Sequence, residues 1–242
     1  MRLQWMSVLL LCSLFFSACA YKEVESTSPS VNTAKRLSAA QAHILLGQWA
    51  LAKAQLDRIP SEEQSLPYVR LISLYWLSVP HQDEAALVYT DALQRYPHDG
   101  FLWNNYGVLL GTQQRWHEAC DAFQKAAERS VKQRQSVQIN LSRCALRQDR
   151  VNLAENHLQQ AKEIADLPLI GLMTELNLVL IQGDSRKARI IFNNIQADKE
   201  FARGTAHFDE YNCLSWHLTA HETDPTLYLS ASNFTCLNGS RY

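Results

Sequence analysis

The most constraining feature of this sequence is a triplet of positions that recurs five times along the chain. In each triplet an alanine is followed four positions later by a large apolar or aromatic side chain and three positions after that by alanine or isoleucine. Successive triplets begin 33, 34, 35 and 34 residues apart. Because positions i, i+4 and i+7 share one face of a helix, each triplet predicts a helix with an apolar stripe. The triplets are Ala52-Leu56-Ile59, Ala85-Tyr89-Ala92, Ala119-Phe123-Ala126, Ala154-Leu158-Ala161 and Ala188-Phe192-Ile195.

A period near 34 residues is typical of the tetratricopeptide repeat, which is a hairpin of two helices. Each hairpin leaves an apolar face exposed, and stacking against the next hairpin buries it. We therefore predict an all-α fold, a tetratricopeptide-repeat superhelix of about five helical hairpins over residues 34–196. Residues 197–242 lack the repeat but keep large apolar side chains. They predict a C-terminal capping segment, with one helix around residues 208–220.

Residues 1–18 have the layout of a signal peptide. Arg2 supplies a positive charge, residues 7–16 form a short apolar run, and two small residues precede Cys19. The run is shorter than the roughly 20 apolar residues of a membrane-spanning helix. Residues 16–19 resemble a bacterial lipobox, which implies that Cys19 is acylated; the alternative is an ordinary secretory signal. Residues 19–33 are rich in Ser and Thr and predict a flexible tether.

The lipobox resemblance also implies a location. In such lipoproteins a residue other than Asp after the cysteine usually means export to the outer membrane, and here that residue is Ala20. Diacylglycerol together with an N-acyl chain anchors a protein stably, whereas a single chain binds only marginally. We therefore expect a lipid-anchored protein of the outer membrane that faces the periplasm.

Four cysteines follow Cys19, and an oxidising compartment favours two disulfide bonds among them. Three pairings are possible. Cys120 and Cys144 belong to helices that should be neighbours in the stack, so a bridge between them is geometrically reasonable. The alternative for this pair is two buried free thiols.

Cys213 and Cys236 are the other candidates for a disulfide. Cys213, His217 and His221 are spaced to share one helix face, so together with Cys236 they also form a candidate zinc site. Because the export signal implies an oxidising compartment, the disulfide is the favoured alternative, and we predict no bound metal.

In a superhelix of this type the first helices of the hairpins line a groove, and the groove is the expected binding surface. Aligning the second, third and fourth units on Gly107 places apolar side chains and arginines on this surface. Such a mixture favours capture of a peptide or a helix from a partner protein. The predicted groove residues are Arg70, Leu74, Leu77, Phe101, Asn104, Val108, Ile139, Arg143 and Arg147.

Charge and motif content argue against other function classes. The chain has 23 Lys and Arg against 24 Asp and Glu, so no basic surplus is present to neutralise nucleic-acid phosphates. It contains no GxSxG, HExxH, P-loop or GxGxxG motif. We predict neither enzymatic activity nor a cofactor, and no nucleic-acid or small-molecule ligand. The remaining alternative from another function class is a metal-binding or enzymatic role for the cysteine–histidine tail.

Two segments resemble one family. Residues 103–107 (WNNYG), followed by residues 116–120 (WHEAC), resemble the central repeat of the PilF/PilW lipoproteins of type IV pilus biogenesis. Residues 140–146 (NLSRCAL) are similar to the next repeat of that family, which often has a cysteine at the position of Cys144. The chain departs from the family in holding about five repeats rather than six, and in its tail after Ala197.

The resemblance implies the function of a pilotin. Such a protein is a non-enzymatic outer-membrane lipoprotein that binds the pilus secretin and assists its localisation or multimerisation during type IV pilus assembly. The alternative is a repeat-lipoprotein scaffold for another envelope system, such as a tight-adherence pilus, a secretion system or envelope assembly.

Overall fold

The computed structural model describes residues 29–79, 82–129, 134–197, 208–224 and 236. Within these ranges the chain is α-helical and contains no strand. Ten helices form five successive hairpins, and an eleventh helix follows them; a short 3-10 helix, Ser61–Glu63, precedes the second hairpin. The helices are α1 Val31–Leu45, α2 Trp49–Leu56, α3 Leu66–Ser78, α4 Gln82–Arg95, α5 Gly100–Thr112, α6 Trp116–Arg129, α7 Arg134–Arg147, α8 Val151–Ile164, α9 Leu169–Ile181, α10 Ser185–Ala197 and α11 Phe208–Thr223.

The apolar triplets form the core of this stack. Every triplet residue is buried, and the most exposed of them, Phe123, is 5% exposed. The alanines let the second helix of each hairpin approach the first, while the larger side chains fill the space beside them. The five predicted hairpins are thus confirmed.

The two helices of the third hairpin pack closely. A Cβ atom built on Gly107 would lie 2.6 Å from the Phe123 ring, and one built on Gly111 would lie 2.8 Å from the Trp116 ring. Any side chain at these two positions of α5 would therefore push α6 away. The two glycines set the spacing between α5 and α6.

The turns within the hairpins repeat as well. Gly47, Gln114, Asp149 and Gly183 each lie between the two helices of a hairpin, and their φ angles are 66°, 61°, 55° and 78°. This left-handed conformation ends the first helix and reverses the chain, and it is easiest for glycine.

Helix α11 packs against the last hairpin. Tyr211, Leu214 and Leu218 of α11 belong to the same buried cluster as Met173 and Leu176 of α9. The predicted capping helix is therefore present, and it extends to Thr223.

The first helix begins inside the segment predicted as a tether. Ser30 caps α1, because its side-chain oxygen accepts a hydrogen bond from the backbone N–H of Thr33 at 3.3 Å, and α1 starts at Val31. The predicted signal peptide and the predicted lipidation site, Cys19, lie outside the described residues. Among the helices that are described, none is long and apolar enough to cross a membrane.

Candidate partner-binding groove

A cavity of about 570 Å³ opens between the first helices of the third, fourth and fifth hairpins. Trp116 at the start of α6 and the first residues of α11 complete its walls. We call this cavity the central groove. It is defined by Asn104, Val108, Trp116, Ile139, Arg147 and Ile170.

Five of the nine predicted groove residues line the central groove: Asn104, Val108, Ile139, Arg143 and Arg147. Ile139 lies deeper than expected for a binding residue, since it is 1% exposed and packs close to Gly171 of α9. The other four predicted residues, which lie nearer the N-terminal end of the stack, do not line this cavity: Arg70, Leu74, Leu77 and Phe101.

Arg70 holds two neighbouring hairpins together. Its guanidinium donates to the carboxylate of Asp99, with a distance of 3.0 Å from Nε to Oδ2, and lies 5.8 Å from the centre of the Phe101 ring. Asp99 in turn caps α5 by accepting a hydrogen bond from the backbone N–H of Leu102 at 2.9 Å. Arg70 was predicted to face a partner; within the chain it pairs with the buried cap of the next unit, and its side chain remains 44% exposed.

Arg143 is also engaged within the chain. Its two terminal nitrogens donate to the two carboxylate oxygens of Glu210 at 2.8 and 2.9 Å. Glu210 belongs to α11, 67 residues further along the chain, so this ion pair fastens the capping helix to α7. Repeat periodicity cannot find such a partner, because Glu210 lies outside the repeats.

Arg147 is held differently from Arg143. Its guanidinium carbon lies 3.4 Å from the centre of the Trp116 ring, so the two planar groups are in contact. All three guanidinium nitrogens are shielded from solvent, and among the described residues none accepts a hydrogen bond from them. Burial, and then the charge of Arg143, lower the pKa of Arg147 to about 9, and Glu210 opposes this shift.

Trp116 was not among the predicted groove residues. The prediction assigned the groove to first helices only, whereas Trp116 is the first residue of a second helix. The signal that was available is Gly111, because a glycine at the penultimate position of α5 leaves room for a large ring from α6.

The asparagines of the two segments that resemble PilF/PilW meet in the groove wall. Asn140 of α7 donates from Nδ2 to Oδ1 of Asn104 in α5 at 3.0 Å, and Asn104 donates to Asn105 at 3.2 Å. The first of these hydrogen bonds joins the third and fourth hairpins, and the second lies within α5. The polar residues therefore have a structural role as well as a position on the binding surface.

Two disulfide bonds are present among the described residues. Cys120 of α6 is bonded to Cys144 of α7, with a Cα–Cα distance of 5.8 Å, so the bridge joins the third hairpin to the fourth. Cys213 of α11 is bonded to Cys236, with a Cα–Cα distance of 5.4 Å. Both pairings are the ones that the sequence favoured, and Cys236 borders the central groove.

The bridge between Cys213 and Cys236 bears directly on the alternative zinc site. The two sulfurs and a ring nitrogen of His217 lie within 4.8 Å of one another. His221, the fourth candidate, instead makes a hydrogen bond of 2.7 Å between Nδ1 and the Ser185 hydroxyl. Zinc binds thiolates, and sulfurs joined to each other cannot be thiolates. This form of the protein therefore offers no four-ligand site at these residues.

Comparison with solved structures identifies the fold. The structure of PilF from Pseudomonas aeruginosa superposes with a TM-score of 0.61 at 16% sequence identity, over 80% of this chain and 85% of that chain. Cut9, in the Cut9–Hcn1 hetero-tetramer of the APC/C, superposes with a TM-score of 0.58 at 14% identity, over 83% of this chain and 38% of that chain. The fold is a tetratricopeptide-repeat superhelix.

At these identities the likeness shows the fold alone. A scan against protein-family models and a search of curated proteins give no match. Tetratricopeptide-repeat proteins are in general scaffolds for protein interaction and present a concave binding surface.

Proposed function

We propose that this chain is a non-enzymatic lipoprotein of the bacterial outer membrane that assists type IV pilus assembly. Anchored through Cys19 and facing the periplasm, it binds the pilus secretin in the central groove and promotes its localisation or multimerisation. The observation that carries the proposal is the central groove, whose walls combine apolar side chains with an arginine that has no acceptor in the described part of the chain.

The chemistry of the groove supports binding of a protein segment. Val108 and Ile170 offer half-buried apolar surface, and Trp116 is an aromatic side chain of the kind that dominates interface energetics. The volume of about 570 Å³ falls within the range of about 300–1,000 Å³ that is usual for ligand sites. A few side chains of a partner fit into such a cavity.

The pilus assignment is supported by two observations of different kinds. The fold is shared with PilF over most of both chains. The segments that resemble the PilF/PilW repeats also supply residues of the central groove, including Asn104, Trp116 and Arg143. The similarity with Cut9 is nearly as high, which keeps a scaffold role in another envelope system as the alternative.

Affinity capture from detergent-solubilised outer membrane tests the proposal. Thr112→Arg places a bulky charge at the groove, because Thr112 is exposed and lines it. Thr90→Arg is the matched control, since both hydroxyls donate only to a carbonyl of their own helix and Thr90 does not line the groove. We expect the wild-type protein and Thr90→Arg to capture the secretin and Thr112→Arg to lose it.

Deletion of the gene separates the pilus role from the alternative. We expect loss of surface pili and of secretin multimers. Normal piliation, together with capture of components from a different envelope assembly by the wild-type protein, would contradict the pilus role and favour the other scaffold.

A further inference from the structure

The strongest unexplained feature of the groove is the guanidinium of Arg147. An arginine carries five N–H donors and no acceptor, and its three nitrogens here are shielded from solvent. The face of the Trp116 ring attracts the positive charge of the guanidinium. It accepts no hydrogen bond from the N–H groups, because these point outward in the plane of the guanidinium. A buried charge without hydrogen-bond partners destabilises the fold. A bound molecule that brings an acceptor to Arg147 would remove this cost.

The two carboxylates that line the groove do not fill this role. Glu210 is held by both terminal nitrogens of Arg143, and Asp209 is an exposed residue at the rim of the groove. Arg147 and Arg143 therefore differ in a defined way. The same helix presents one guanidinium that is paired with a carboxylate and, one turn later, another that borders the cavity and has no acceptor among the described residues. Because the nitrogens of this second guanidinium are shielded from solvent, a ligand reaches them only when the Arg147 side chain turns toward the groove.

We propose that the central groove binds a short segment of a partner protein through a carboxylate that pairs with Arg147, while a neighbouring apolar side chain of the segment packs against Val108 and Ile170. The inference rests on the proposed function and specifies the chemistry of the bound segment. A carboxylate matches the planar guanidinium with two parallel hydrogen bonds. The ring of Trp116 fixes the plane in which those bonds form.

Peptide selection on the full chain tests this inference. One library displays short random peptides with a blocked C-terminus, and a second displays the same peptides with a free C-terminal carboxylate. The proposal predicts selected peptides that share an Asp or Glu in the first library, or an apolar residue at the free C-terminus in the second. The two libraries thus distinguish an acidic side chain from a chain terminus.

The pairing itself is tested with two changes and their combination. We expect Arg147→Met in the protein, and Glu→Gln or C-terminal amidation in a selected peptide, each to weaken binding about tenfold or more, because a charge-assisted pair is lost. Together they should weaken it little further than either alone. Arg147→Lys should restore part of the affinity, since it keeps the charge without the planar fork.

Lys125→Met is the matched control. Lys125 also lies over a tryptophan, with 4.4 Å from Nζ to the centre of the Trp103 ring, but it does not line the central groove. Its replacement should leave peptide affinity unchanged. The inference is overturned if the selected peptides carry no carboxylate preference, or if they bind Arg147→Met as tightly as the wild type. Failure of both libraries to yield any groove-dependent peptide would overturn the proposed groove binding as well.

Discussion

The third and fourth hairpins and the C-terminal end of the superhelix use the same concave surface in opposite ways. In the third and fourth hairpins, α5 and α7 face an open groove. At the C-terminal end, α9 lies beneath α11 and belongs to the same buried cluster as Tyr211, Leu214 and Leu218. The repeat period of 34 residues places Asn177 of α9 where α7 has Arg143, and Asn177 is fully buried whereas the Arg143 side chain is 15% exposed.

The difference shows what this surface accepts. Helix α11 has an apolar stripe and a carboxylate near its start. The concave face packs against this stripe, and Arg143 pairs with Glu210. Where the described residues supply no such helix, Arg147 has no acceptor among them. The covered end therefore serves as an internal example of binding, and the open part is the surface left for a partner.

The largest expected effect concerns the bridge that holds the open region together. Replacing Cys120 and Cys144 by alanine removes a disulfide that closes a sequence separation of 24 residues. The unfolded chain gains freedom, so we expect the free energy of unfolding to fall by about 3 kcal/mol. Urea denaturation measures this change. The Cys213–Cys236 bridge closes a nearly equal separation of 23 residues, so the paired alanine variant there provides the matched comparison.

The second prediction breaks the contact between the two regions. Glu210→Gln leaves Arg143 largely buried without its carboxylate, because the two side chains are 15% and 10% exposed. We expect the free energy of unfolding to fall by about 2 kcal/mol, which lies between the values for exposed and for fully buried ion pairs. Hydrogen exchange should quicken in α11 and α9 and stay unchanged in α1–α4, since repeats interact only with their neighbours.

Glu222→Gln is the control for this change. It breaks the pair with Arg189, also made by α11, but these side chains are 36% and 39% exposed. The free energy of unfolding should fall by less than about 1 kcal/mol. Equal losses for Glu222→Gln and Glu210→Gln would show that Arg143 does not fasten α11.

The same comparison explains what the sequence could and could not predict. The repeat period and the small residues such as Ala119 determine the hairpins, so the core triplets were predictable. The disulfide between Cys120 and Cys144 was also predictable, because the period makes their two helices neighbours. The groove was predicted in part, since alignment on Gly107 assigns faces but not depth, and Ile139 proved to be buried. The partner of Arg143 was not predictable, because Glu210 reaches it through tertiary packing across 67 residues without any local pattern.

The third prediction separates binding from stability in the open region. Arg147→Met keeps the apolar contact with Trp116 and removes a buried charge, so we expect the free energy of unfolding at neutral pH to rise by about 1 kcal/mol. Because the folded pKa of about 9 lies below the ordinary value of 12.5, the cost of the charge is present at pH 7. The advantage of the methionine should shrink as the pH rises above 9. A loss of stability in the variant would show that the charge is satisfied within the fold.

The smallest expected effect lies in the turns of the two regions. Gln114 and Asp149 adopt positive φ angles of 61° and 55° in the third and fourth hairpins, whereas the fifth hairpin has Gly183 at the same position. A side chain strains this conformation, and asparagine or aspartate tolerates it better than most residues. Gln114→Gly should therefore raise the free energy of unfolding by about 0.5 kcal/mol, after the greater freedom of glycine in the unfolded chain is subtracted.

Gly183→Ala is the reciprocal change. A Cβ atom there would meet no atom closer than His221 Nε2 at 3.8 Å, so any loss reports backbone strain rather than a clash. We expect Gly183→Ala to lower the free energy of unfolding by about 1 kcal/mol and Asp149→Gly to change it by nearly zero. Urea denaturation measures all three turn variants. If Gln114→Gly instead destabilised the protein, the turn of the third hairpin would owe its stability to contacts of the Gln114 side chain. The turn of the third hairpin would then depend on side-chain contacts, whereas the turn of the fifth hairpin depends on the backbone freedom of Gly183.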